Sequence, residues 1–188
     1  SKKEAIERLE IEASKTLNLM LAQEFQTLGI KFEQQTWDDK KKKLGKPIKR
    51  SVTVKDIEQL TPFHWGYEFS EIFRKKDGFD AIIANPPWEV FKPESKEFFA
   101  SYSTLVTKNK MELRDFEKEK SKILESKDTR EAWLEYESKF PHVSEYFRLS
   151  KAYKNQTSII NGKKAVANNN LYKIFTEQCY NLLRKDGY

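Results

Sequence analysis

One cysteine, two histidines and six glycines in 188 residues narrow the chemistry before any motif is read. Cys179 alone cannot form an intrachain disulfide, and two imidazoles with one thiol offer no zinc-ligand cluster, so no metal is expected. No apolar run approaches the ~20 residues of a membrane span. The start, Ser1-Lys2-Lys3-Glu4, has no apolar signal core and reads as cut from something longer. A reducing cytoplasm is the expected setting. Charge and aromatic surface are what the chain does have. Charged residues make up 34% of it, against roughly 25% in an average soluble domain, while 13 Phe, 8 Tyr and 4 Trp supply enough buryable surface for a core. The length suits one domain or a piece of a larger chain. A net charge of +6 favours a polyanionic partner only modestly, because 29 acidic residues are interspersed among 35 basic ones.

Apolar residues Ile6, Leu9, Ala13, Leu17, Met20, Leu21, Phe25 and Leu28 recur at steps of three and four and are followed by Gly29, which predicts one amphipathic helix over 2–28. Residues 38–50, DDKKKKLGKPIKR, read as a basic loop. Its Lys41, Lys42, Lys43, Lys49 and Arg50 are candidate DNA-phosphate contacts, set against a plain solvated insertion. Residues 1–50 are therefore taken as a long helix plus basic loop, separate from 51–188. SVTVKDI at 51–57 alternates like a short strand. Phe79 to Ala84 is an apolar run entered through Gly78 and cut off by Asn85-Pro86-Pro87, the pattern of a doubly buried parallel strand whose end opens into a loop. Beyond it, helices are expected over 93–102, 110–126, 129–140 and 143–153, a flexible connection over 155–169, and a final helix from Leu171 to Leu183 with an asparagine N-cap and Gly187 after its end.

Asn85-Pro86-Pro87-Trp88 carries the chemistry. Two prolines fix the backbone and present the asparagine rigidly. Methyl transfer to an exocyclic amino group requires the nitrogen lone pair to be drawn out of the ring. The Asn85 side-chain carbonyl and the Pro86 backbone carbonyl can accept the two amino hydrogens, and proline brings no competing N–H. Trp88 supplies a stacking face for a flipped base, worth roughly 1–3 kcal/mol. His64, with no carboxylate or nucleophile at informative spacing, reads as structural, and Cys179 as a buried small hydrophobe.

This motif resembles the [DNS]-P-P-[YFW] motif of the N6-adenine DNA methyltransferases. FDAIIANPPWEVF looks like their strand-plus-motif signature, FHWGYEFSEIF resembles the aromatic pattern preceding it in type IIG restriction-modification enzymes, and NNNLYKIFTEQCYNLLRKDGY is similar to the helix that follows. The resemblance implies a Rossmann-like α/β class I methyltransferase fold, of which this chain supplies one to three strands within a predominantly helical piece. It implies S-adenosylmethionine as methyl donor, double-stranded DNA as partner, and Asn85, Pro86, Pro87 and Trp88 as the catalytic motif, with Asn85 also near the donor. Residues 92–160 match nothing specific and are expected to be a helical insertion.

The family's glycine-rich donor loop is missing, since none of the six glycines forms such a pair. The expectation is therefore an internal piece of a methyltransferase from a restriction-modification or phage-defence system, inactive in isolation. Two alternatives stay open: a methyltransferase acting on RNA or a protein glutamine, and a non-catalytic helical module that positions DNA.

Overall fold

In the computed structural model the described residues are 2–106, 111–156, 159–160, 163–164 and 169–188. They are mostly helical with a few short strands. The chain divides into two compact units. The first gathers 1–31, 51–91 and 142–188, and the second gathers 32–50 and 92–141.

The first unit is built on α1, Lys2–Thr27. Gly29, at φ 73°, ends it. The Ile30 N–H donates to the Phe25 carbonyl and the Gly29 N–H to the Gln26 carbonyl, the paired bonds of a Schellman cap, and the apolar contact that accompanies such a cap falls to the buried Phe25 and Ile30. The expected strand at 51–57 is instead the helix α2, Val54–Glu58. Thr53 and Asp56 form a reciprocal capping box that satisfies two backbone donors at its start, so local hydrogen bonding wins over β-branched alternation. The aromatic stretch folds as α3 (Trp65–Glu68) and α4 (Ser70–Lys76). Further on come α8 (Phe140–Leu149), a 3₁₀ turn at Lys151–Gln156 and α9 (Leu171–Leu182). Most of the connection expected over 155–169 lies outside the described residues. Within it, the strands β5 (Ile159–Ile160) and β6 (Lys163–Lys164) pair antiparallel.

The second unit holds a buried cluster of Phe99, Val106, Phe116, Leu124 and Trp133, contributed by α5 (Ser95–Ala100), the stretch after it, α6 (Leu113–Ile123) and α7 (Lys127–Ser138). The segment expected as a plain basic loop forms short strands. Here β1 (Lys31–Gln34) pairs with β4 (Ile48–Ser51), and β2 (Trp37–Asp38) pairs antiparallel with β3 (Lys43–Leu44). The turn between β2 and β3 is organised by Asp38, whose Oδ1 accepts from the Lys40 and Lys41 N–H groups at 3.1 Å each. An Asx turn of this kind overrides the charge repulsion of the lysine run. No described helix is long and apolar enough to cross a membrane.

Candidate active site

The apolar run before Asn85 is not a doubly buried strand. Phe79 makes an isolated parallel bridge to Leu183, and the Ile82 N–H donates to the Tyr188 carbonyl while the Tyr188 N–H donates to the Asp80 carbonyl. Residues 183–188 thus pair with one edge only, and Ile83 is left 99% exposed. The pairing is made possible by two glycines that let backbones meet. An added Cβ would stand 2.5 Å from the Arg184 nitrogen at Gly78 and 2.8 Å from the Phe79 oxygen at Gly187. Gly187, expected to cap the last helix, serves this close approach instead, because α9 already ends at Leu182 with an extended Leu183.

Asp80 joins the clamp, with its carboxylate 2.6 Å from the Lys76 ammonium and 2.8 Å from the Arg184 guanidinium. The Lys76 hydrogen bond, helped by Arg184, holds its carboxyl below the usual carboxylate range.

Past the motif the chain is tied to the other end of the same helix. The Leu171 N–H donates to the Glu89 carbonyl at 2.9 Å and the Phe91 N–H to the Asn169 carbonyl at 2.8 Å. Asn170 caps α9, its side chain accepting from the Tyr172 N–H. A helix of 12 residues, about 18 Å long, therefore braces the Asn85–Trp88 loop at both flanks. Within the loop Asn85, Pro87 and Trp88 are exposed and Pro86 is half-buried. Trp88 lies 5.6 Å from the Tyr172 ring at 33°, yet keeps 72% of its surface open.

The upstream pattern packs behind the strand: Trp65, Phe69 and Phe73 set their rings edge-on to Phe79 at centroid separations of 6.3, 5.1 and 5.6 Å. His64 Nε2 shares a 2.8 Å hydrogen bond with the buried Asn18 side chain, a structural partner as expected. Cys179 is half-buried, and burial pushes its thiol above the usual range. The three stretches that carry the resemblance are thus brought together in one unit. Sequence reading missed the Asp80–Arg184 link and the Tyr172 contact to Trp88. The Asn-Leu-Tyr stretch itself was the signal for the second.

The basic candidates lie in the other unit. Lys41, Lys42, Lys43, Lys49 and Arg50 are all exposed. Lys49 pairs with Glu33 and Lys41 lies 3.8 Å from Asp38, while the Arg50 guanidinium sits 4.1 Å from the centre of the Phe32 ring. Lys42 and Lys43 have no ion pair among the described residues.

A family model described as the Eco57I restriction-modification methylase matches residues 5–116, more than half of the chain and inclusive of the Asn-Pro-Pro-Trp loop. The chain belongs to that family. It is also 38% identical over 71 residues to a protein of Methanocaldococcus jannaschii named as a proposed type II restriction enzyme and methyltransferase, a match covering 37% of this chain and 6% of that protein. No solved structure matches.

Proposed function

We propose that this chain is the motif-bearing part of an adenine-specific DNA methyltransferase of a restriction-modification or phage-defence system, with a Rossmann-like catalytic fold completed by residues beyond these 188. The observation that carries the proposal is the loop itself. Asn85 and Pro86 stand at the end of an extended segment, fixed at both flanks by α9, beside an exposed aromatic face on Trp88.

In the proposed reaction a flipped adenine stacks on Trp88. Its N6 hydrogens are accepted by the Asn85 side-chain carbonyl and the Pro86 carbonyl, which draws the lone pair out of the ring and makes the nitrogen nucleophilic without a strong base. S-adenosylmethionine would supply the methyl group. The residues present do not enclose that donor: Asn85 lies in the open and Ile83 beside it is 99% exposed. The isolated chain is accordingly expected to bind the donor weakly and to be inactive.

Double-stranded DNA is the proposed partner, with Lys41, Lys42, Lys43, Lys49 and Arg50 as phosphate contacts. Residues 31–50 carry eight basic against three acidic side chains, a balance of +5 in a chain whose total is +6, and phosphate neutralisation dominates DNA affinity.

The test is methylation of duplex DNA by the full-length protein containing this segment, using labelled S-adenosylmethionine. Asn85→Ala, an exposed substitution that leaves the fold intact, is expected to cost on the order of 10²–10³ in rate, the usual effect of one lost transition-state hydrogen bond. Trp88→Ala is expected to cost roughly tenfold, from lost stacking. An active protein indifferent to Asn85 would make the motif structural. Label appearing in RNA or on protein glutamine would move the acceptor.

A further inference from the structure

The second unit contains a cleft of about 640 Å³, within the roughly 300–1,000 Å³ of small-ligand sites. Three kinds of group converge on it. Trp37 and Trp133 give it an aromatic floor, and each already has a cation at its ring: the Arg130 guanidinium is 5.6 Å from the Trp37 centroid and the Lys120 ammonium 5.2 Å from that of Trp133. Trp133 is buried, whereas Trp37 is only half-buried. Lys42 and Lys43 stand on the same cleft, exposed and without an ion pair among the described residues. Lys42 is held at φ 48°, a left-handed conformation that non-glycine residues seldom adopt, in the turn that Asp38 organises. Asp39, Glu117 and Glu125 supply carboxylate acceptors.

A bare polyphosphate would meet those carboxylates unfavourably. An apolar ligand would leave the lysines idle. One chemical class uses all three groups: a nucleotide, with its base against the aromatic surface, its phosphate on the ammonium groups, and an exocyclic amino group donating to a carboxylate, as cytosine N4 does to Asp or Glu. We infer that this cleft seats a single nucleotide of a DNA strand, at a site distinct from the Asn85–Trp88 loop. The inference rests on DNA as the partner proposed above, but not on the catalytic role of Asn85.

The test titrates the 188-residue protein with fluorescently labelled oligo(dC) and with an abasic strand of equal length, following anisotropy at several salt concentrations. Oligo(dC) is expected to bind about tenfold more tightly than the abasic strand, the usual effect of one stacked base. Lys42→Asn with Lys43→Gln removes both charges while an asparagine suits the positive φ. This pair is expected to weaken binding and to flatten the plot of log affinity against log salt by about 0.7, one single-strand phosphate contact's worth. Trp37→Leu, at the cleft, is expected to abolish the preference over the abasic strand; a preference that survives it would place the base at the Asn85–Trp88 loop and overturn the cleft assignment, so that a failed catalytic assignment and a failed cleft assignment are told apart. Equal affinity for the abasic strand would overturn the inference and reduce the lysines to a charged surface. Free dCMP binding as tightly as the strand would overturn the assignment to DNA.

Discussion

Gly78 lies where one backbone rests on another. Its φ of 144° falls outside what side chains readily adopt, and an added Cβ would stand 2.5 Å from the Arg184 nitrogen and 2.7 Å from the Leu183 carbonyl carbon. Neither neighbour is a flexible tip that can swing aside. Gly78→Ala is therefore expected to destabilise the first unit by more than ~1 kcal/mol and to loosen the bonds that set Phe79 against Leu183. Hydrogen exchange at the Phe79, Ile82 and Arg184 amides should accelerate in that variant. Gly66→Ala is the control, because nothing lies within 4 Å of its position and it sits in α3, where alanine is favoured by up to about 1 kcal/mol. Unchanged stability in the Gly78 variant would mean that the two segments are not locked. At this scale the sequence was partly legible. Asn85-Pro86-Pro87-Trp88 announces a rigid loop through its prolines alone, whereas the purpose of Gly78 and Gly187 depends on a strand pairing between residues about a hundred positions apart, which local pattern does not encode.

At the scale of elements, two helix ends show what local hydrogen bonding decides. The end of the first helix was legible because its apolar spacing and Gly29 agree. SVTVKDI misled, since its alternation mimics a strand while Thr53 and Asp56, three apart, are a capping pair: the Asp56 N–H donates to Thr53 Oγ1 and the Thr53 N–H to Asp56 Oδ2. This box starts α2, whose Ile57 is fully buried. Thr53→Ala is expected to cost about 1 kcal/mol, the usual loss of an N-cap, and Thr53→Ser to recover most of it. Urea unfolding of the two variants measures the difference. An alanine variant as stable as the parent would show that burial of Ile57 alone holds the helix. The basic segment 38–50 misled for a related reason: like charges argue against regular pairing, but Asp38 bonds two successive lysine amides and the hairpin closes around it.

The whole molecule interleaves its two units along the chain, which no local signal reveals: the Gln35 N–H donates to Ser138 Oγ across 103 positions. What the aromatic content did announce is buried surface, and it gives the first unit a measurable pH response. Tyr146 stacks on Phe25 with centroids 4.5 Å apart and rings within 4° of parallel, and its hydroxyl donates to a Glu24 carboxylate oxygen at 3.1 Å. Burial is the largest cause pushing its phenol up to about 12, with the Glu24 charge adding to it. Burial raises the Tyr153 phenol too. In the unfolded chain a tyrosine ionises near ~10, so above that value the folded state binds more protons than the unfolded one and stability falls as pH rises. The contribution is complete below about pH 10 and is lost as pH climbs through the folded value of Tyr146. Every other titrating group is common to parent and variant, so the comparison isolates the phenol. Tyr146→Phe keeps the ring against Phe25 and removes the titrating group: it is expected to be somewhat less stable than the parent at pH 8, and to lose less stability than the parent between pH 10 and pH 12. Denaturant unfolding at those three pH values decides it, and parallel losses in the two proteins would place the Tyr146 hydroxyl in solvent rather than in the packed face of α1.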